Sequence, residues 1–215
     1  MVEVGPGPQK LILASGSAAR RQMLSAAGVA FNVVPARVDE VAIKSAILGD
    51  TRIDAQTPAQ IARELAAAKA LDVGRRNPRA LVIGSDQVLS LEFDDAPFFA
   101  LFDKPASRDD ARAHLGRLRG RRHALISAVA LVANGHVAWE HCDVARLTMR
   151  NFSDAFLDNY LARAGDAVLG SVGCYQLEGL GIQLFDRIEG DYFTILGMPL
   201  LPLLGELRNR KVIAT

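Results

Sequence analysis

The segment Ala80-Leu81-Val82-Ile83-Gly84-Ser85-Asp86-Gln87-Val88-Leu89 constrains the fold more than any other part of the chain. Four consecutive apolar residues offer no polar side to water. They read as a strand buried on both faces, as in a sheet covered by helices. The run ends at a Gly-Ser pair followed by a lone Asp. A buried strand that ends by projecting one carboxylate holds a general base or a metal ligand rigidly. An Asp that merely caps a turn gives the same pattern, and this segment alone does not choose between the two.

The surrounding pattern is that of an α/β protein. Lys10 to Ala14 is a short apolar run, followed by the polar turn Ser15-Gly16-Ser17 and a helical pattern from Ala18 to Ala27 that Gly28 stops. Phe31 to Pro35 reads as a second strand, which completes a strand-helix-strand unit. Thr57-Pro58 starts a helix with Thr as N-cap and Pro in the first position, and Ile61, Leu65 and Ala68 mark one of its faces. Residues 92–106 read as a loop or loose hairpin, and Ser107 begins another helix. Residues 124–133 and 136–150 form a hairpin across the turn Asn134-Gly135. Ser153 caps a helix reaching about Arg163. Residues 170–197 are Gly-rich, and Pro199 opens a last amphipathic helix. The hairpin in mid-chain points to a second lobe, but no boundary separates it. The expected organisation is a flexible tail over residues 1–9, where Gly5-Pro-Gly-Pro8 is loose, and one domain over residues 10–215.

Composition excludes several classes of function. Half of the 215 residues are hydrophobic, too many for a disordered chain. The 25 basic residues balance 24 acidic ones without a polybasic run, so no footprint for nucleic acid is present. Cys142 and Cys174 lie far apart with no CxxC, which excludes a disulfide framework and a zinc knuckle and suits a reducing cytoplasm. The first ten residues lack the apolar core of a signal peptide, and no apolar run is long enough to span a bilayer.

Several residues could carry chemistry. Ser15-Gly16-Ser17 leads into a helix whose first turn holds Arg20 and Arg21. Free backbone N–H groups and cations at a helix start suit a bound anion such as phosphate, although an ordinary helix start with solvated arginines reads the same way. Lys69 lies on an Ala-rich helix and Lys104 in Asp103-Lys-Pro105; each alone is an ordinary surface lysine. Asp39 and Glu40 are paired carboxylates that could ligate Mg²⁺ or Mn²⁺ or simply be solvated. His114, His123, His136 and His141 show no metal spacing and are taken as structural or exposed. No Ser or Cys sits in a nucleophile elbow. Glu178, among Gly and apolar neighbours, either faces solvent or has a partner.

Together these pieces resemble one family. LILASGSAARRQML, FNVVPARVDE, AAAKA, VIGSDQVL, DKP and GCYQLEGLGIQLFDRIEGDYFTILGMPL occur in the order found in the Maf proteins, first named for a link to septum formation. The resemblance covers the chain from about Lys10 to the last helix. It implies a Maf/ITPase-like fold: a twisted mixed sheet flanked by helices, with two lobes and a central cleft. It also implies cleavage of a nucleoside triphosphate to the monophosphate and pyrophosphate with a divalent cation, Mg²⁺ or Mn²⁺. By that resemblance Asp86 is the general base and a metal ligand, Glu40 a second ligand, and Ser15, Arg20, Lys69 and Lys104 bind phosphates. Such chemistry needs an activated water and positive charge around the phosphates.

The family has a dTTP/UTP branch and a 7-methyl-GTP branch. Ser85-Asp86-Gln87 and Glu178 resemble the second. A carboxylate can accept from both guanine N1–H and the 2-amino group, whereas uracil and thymine offer one donor flanked by carbonyls. By the resemblance, Ala19, Gln87 and Glu178 are the specificity positions. The family usually has Pro at Ala18 and a large residue, Arg or Trp, at Ala19, and the stretch between Leu91 and Lys104 is longer here. The expected substrate is 7-methyl-GTP. The alternatives are dTTP or UTP, and a nucleotide-binding regulator that acts on division through a partner. A nucleoside triphosphate is the expected partner, without nucleic acid or membrane; a homodimer stays open, and the expected location is the cytoplasm.

Overall fold

The computed structural model describes residues 10–50, 54–92 and 99–214. The tail expected over residues 1–9 lies outside them, as do residues 93–98 of the expected loop.

The strands are β1 (Leu11–Leu13), β2 (Asn32–Val33), β3 (Leu81–Glu92), β4 (Phe99–Phe102), β5 (Arg122–Ala133), β6 (His136–Met149) and β7 (Phe185–Glu189). They form one mixed sheet in the order β2-β1-β3-β5-β6-β7, with β4 also on β3. The helices are α1 (Ala18–Ala26), α2 (Glu40–Asp50), α3 (Thr57–Arg76), α4 (Arg108–Leu118), α5 (Asp154–Ala164), α6 (Tyr192–Ile195) and α7 (Leu200–Asn209).

β3 does not end at Asp86, as the apolar run predicts. It continues through Val88, Leu89 and Leu91 to Glu92, because this second half is as buried as the first. Period-two alternation then sorts its side chains. Val82 and Val88 pack toward α3, with Ala70, Val73, Ile61 and Leu65. Leu81 and Ile83 pack on the other face with Leu24 of α1 and Leu203 of α7. Leu89 and Leu91 pack on that same face with Leu115 of α4 and Leu157 of α5. The expected hairpin forms, with Asn134 and Gly135 both at positive φ (51° and 82°), the backbone that a two-residue turn requires. β5 pairs with β3 from Val82 to Leu91, so the hairpin lies in the same sheet. Within residues 92–106, the hairpin alternative holds over the described residues: Phe99–Phe102 forms strand β4, which pairs antiparallel with Leu89 to Glu92 and completes the edge of β3.

The start of α3 also differs from expectation. Thr57 is the first helical residue rather than the cap, and Asp54 Oδ1 accepts from the backbone N–H groups of Gln56 (2.8 Å) and Thr57 (3.1 Å). Among the described residues, no side chain caps the first turn of this helix; Asp54 instead fixes the turn that leads into it. Among the described residues, no helix is long and apolar enough to cross a membrane.

His136 is exposed, whereas His123 is 1% exposed, with Nε2 2.8 Å from Tyr175 Oη and Nδ1 without a hydrogen-bond partner among the described residues. Burial lowers its pKa to about 4. The folded state therefore keeps this ring neutral while the unfolded chain protonates it near pH 6.5. Stability from this group is intact above pH 6.5 and falls as pH drops toward about 4, by on the order of 3 kcal/mol over the full window. Urea unfolding between pH 6.5 and 5 checks this. His123→Gln should flatten that limb, and an unchanged slope would assign the acid sensitivity to other groups.

Candidate active site

β3 has β5 along one edge, but its other edge is shared. Leu81–Ile83 pair with β1 in parallel, and Leu89–Glu92 pair with β4 antiparallel. Among the described residues, no strand flanks Gly84 to Val88 on that side. The unflanked stretch is a notch in the sheet, and it contains Ser85, Asp86 and Gln87. Ser85 and Gln87 point to one face, and Asp86 points to the face covered by α3.

On the α3 face the helix lies close against β3. Gly84 makes this possible. A Cβ placed there would stand 2.1 Å from the carbonyl oxygen of Ala66 and 2.8 Å from Cβ of Ala70. One turn along, Lys69 is thereby delivered to Asp86. Its ammonium group bridges Asp86 Oδ1 (2.5 Å) and Glu40 Oε1 (2.8 Å). The side chains of Lys69 and Asp86 are 12% and 10% exposed, and that of Glu40 is 46% exposed. Asp39 does not join the cluster: its Oδ1 accepts from the N–H of Ala42 (2.9 Å) at the start of α2. Glu40 sits on the first turn of that helix, where the dipole favours a carboxylate. Burial works against its charge, but the hydrogen bond and charge of Lys69, with Lys44 and Lys104 beyond, outweigh that and hold its pKa below the ordinary value.

On the opposite face, Ser15 ends β1 and is 7% exposed. Its Oγ accepts from the N–H of Ser17 (3.2 Å) and from Arg20 Nη1 (3.2 Å). Arg20 turns inward from α1 and donates Nε to the carbonyl of Gly197 (2.8 Å). Burial lowers its pKa, while the negative charges of Asp86 and Glu40 raise it, so the guanidinium lies in the field of both carboxylates. Ser85 Oγ lies 2.8 Å from the carbonyl oxygen of Ala128 and 3.0 Å from that of Gly197, which share its single proton. Gln87 Nε2 lies 3.0 Å from Ser127 Oγ, Thr194 O and Ile195 O, so both of its N–H groups are engaged and its carbonyl oxygen is left to accept.

The sequence-predicted residues thus meet only in part. Asp86, Lys69, Glu40, Arg20, Ser15 and Gln87 converge on the notch. Lys104 is exposed after β4 and reaches Glu40 through charge alone. Ala19 is half-buried on the first turn of α1. Glu178 is exposed and has no hydrogen bond or ion pair to this cluster among the described residues. Sequence reasoning missed Lys44, which pairs with Asp103 and adds positive charge near Glu40. Its position four residues after Glu40 on a helix was the available signal. It also missed the backbone carbonyls of Thr194, Ile195 and Gly197, which no side-chain pattern announces.

A divalent cation fits the donor set in a specific way. Among the described residues, no group of three or more His, Cys, Asp or Glu could hold a metal ion. Lys69 takes one oxygen of each carboxylate, and no hydrogen bond among the described residues reaches Asp86 Oδ2 or Glu40 Oε2. Two carboxylate oxygens are what a Mg²⁺-type ion arriving on substrate phosphates requires of a protein. They would be weak ligands for a cation bound by the protein alone.

Comparison with known proteins agrees with this geometry. The family model for Maf-like proteins matches residues 10–210. The chain is 53% identical over 198 residues to a nucleoside triphosphate pyrophosphatase of Paramagnetospirillum magneticum, covering 92% of this chain and 97% of that protein. It is 50% identical over 199 residues to a 7-methyl-GTP pyrophosphatase of Rhizobium meliloti (93% and 95% covered), and 46% identical over 204 residues to one of Brucella abortus (95% and 98% covered). With the sequence match running through both halves of the sheet and every element around the notch, the chain belongs to the Maf family.

Proposed function

We propose that this chain is a nucleoside triphosphate pyrophosphatase that hydrolyses 7-methyl-GTP to the monophosphate and pyrophosphate. The observation that carries the reaction is the Asp86 carboxylate in the notch, held at Oδ1 by Lys69, with no hydrogen bond to Oδ2 among the described residues. Oδ2 orients and deprotonates the attacking water. Lys69 fixes the carboxylate's direction and places a positive charge beside the reacting phosphate. Arg20 and Ser15 bind phosphate oxygens from the opposite wall, with Lys104 and Lys44 adding positive charge at the rim. Asp86 and Glu40 would hold a divalent cation, which when bound neutralises phosphate charge and favours departure of pyrophosphate.

The base assignment rests on other features. Two of the relatives at 46–50% identity are named for 7-methyl-GTP. Glu178 is exposed within the Gly-rich segment, with no hydrogen bond or ion pair among the described residues, and its carboxylate can accept from the N1–H and 2-amino groups of guanine. A 7-methylated guanine ring is cationic, so a carboxylate attracts it more than unmethylated GTP. Gln87 contributes its fixed carbonyl oxygen, and Ala19 contributes space in place of charge.

Pyrophosphate release from 7-methyl-GTP, GTP, UTP, dTTP and 5-methyl-UTP tests the proposal. The expected order places 7-methyl-GTP first, and Glu178→Gln lowers its kcat/KM by ~10–100-fold with less effect on UTP. A preference for UTP or dTTP would move the chain to the other branch. No release from any nucleotide would favour a binding regulator.

A further inference from the structure

The wall opposite Asp86 is held by carbonyls from a single short segment. Arg20 Nε and Ser85 Oγ both end on Gly197 O (2.8 and 3.0 Å), and Ser127 Oγ and Gln87 Nε2 both end on Thr194 O (2.8 and 3.0 Å). Gln87 also reaches Ile195 O at 3.0 Å. These carbonyls belong to α6 and the turn that follows it. α6 has four residues, so it cannot hold itself together by helix propagation. Its start is fixed by Asp191, whose Oδ1 accepts from the N–H of Thr194 (3.0 Å) and from Thr194 Oγ1 (3.4 Å). Its end turns at Gly197, at φ +102°, a conformation that L side chains rarely adopt. There a Cβ would lie 3.4 Å from Arg20 Nη2.

We infer that Asp191 is a positioning residue for Arg20: by fixing the first turn of α6 it aims the Gly197 carbonyl that orients the guanidinium. The inference rests on the reading that Arg20 binds phosphate. Asp191 belongs to neither wall of the notch and bonds to none of Asp86, Lys69 or Glu40 among the described residues. Its effect on the site passes through the backbone.

Calorimetric titration of the full chain with inorganic pyrophosphate in Mg²⁺ buffer tests this, read beside steady-state kinetics. Asp191→Ala should weaken pyrophosphate by about 5-fold, the scale of a lost helix cap, and raise KM more than it lowers kcat. Asp191→Asn keeps an acceptor oxygen and should stay within about 2-fold of the parent. In an Arg20→Ala background, Asp191→Ala should add less than about 2-fold, because the group it positions is gone. Equal losses in both backgrounds would overturn the inference while leaving Arg20 a phosphate ligand. No loss of pyrophosphate affinity in Arg20→Ala alone would overturn the phosphate reading, and the inference with it. If Asp191→Ala does not fold, Ser127→Ala loosens Thr194 O from the other side. It should show the same dependence on Arg20, and additivity there would also sink the idea.

Discussion

Asp86→Asn is expected to lower kcat by about 10²–10⁴-fold at neutral pH, the range of a lost general base. The substitution keeps size and shape, and the amide oxygen can still accept from Lys69. What it removes is the basic oxygen that Lys69 leaves unengaged. Because Lys69 remains paired with Glu40 at 2.8 Å, the ammonium is not left unpartnered, and the thermal unfolding midpoint should move little. KM should change less than kcat, because Arg20, Ser15 and Lys104 are untouched. Retention of more than about a tenth of kcat would transfer the base role to another group.

The second large effect comes from a residue with no functional group. Gly84→Ala inserts a methyl 2.1 Å from the Ala66 carbonyl oxygen and 2.8 Å from both N and Cβ of Ala70. All of these atoms lie on α3, and two are backbone, so no flexible side chain can yield. The helix must move off the sheet, taking Lys69 away from Asp86. Overpacking of this kind costs ~1–3 kcal/mol or somewhat more. A displacement of about 1 Å at the reacting groups can cost on the order of 10²-fold in rate. Gly84→Ala is therefore expected to lower both the unfolding midpoint and kcat/KM, with the rate loss persisting well below the midpoint. Gly16, where an added Cβ meets nothing within 4 Å, is the comparison: Gly16→Ala should leave the unfolding midpoint close to the parent's. Wild-type kcat/KM in a folded Gly84→Ala protein would show that close packing of α3 is dispensable.

Much of the α/β pattern was legible because it depends on period and punctuation. The Asn134-Gly135 turn, the Ser107 and Ser153 caps and the Gly28 stop all lie where their local chemistry requires. The missed features are tertiary. Nothing local reveals that β3 passes straight through Asp86, since the Gly-Ser pair looks like an ending. In the structure, Gly84 is where α3 approaches, and Ser85 is buried with its hydroxyl on Ala128 and Gly197 carbonyls. The site was legible to a similar depth. Asp86, Lys69, Glu40 and Arg20 could be named because charged side chains stand out in apolar contexts. Their partners could not, because Gly197 lies 177 residues from Arg20 and contributes a carbonyl, a group every residue has. Gln87 shows the same limit. It reads as a specificity residue, but whether its donors or its acceptor faces a ligand depended on the positions of Thr194 and Ile195.

The continuity of β3, β5 and β6 past the notch has a mechanical consequence. β3 and β5 have 12 residues each and β6 has 14, and the two ends of β3 carry the strands that border the opening. The opening is thus cut into the edge of long, continuously paired strands. Hinge closure, in which a few loop residues absorb the rotation, has no place to act here without bending paired strands. Adjustment to a nucleotide falls instead to the exposed rim, where Lys104 stands after β4 and Lys44 of α2 pairs with Asp103. A protein built this way meets its ligand with a fixed frame whose inner charges are already paired, Lys69 with Asp86 and Glu40, and Arg20 with Ser15 and Gly197.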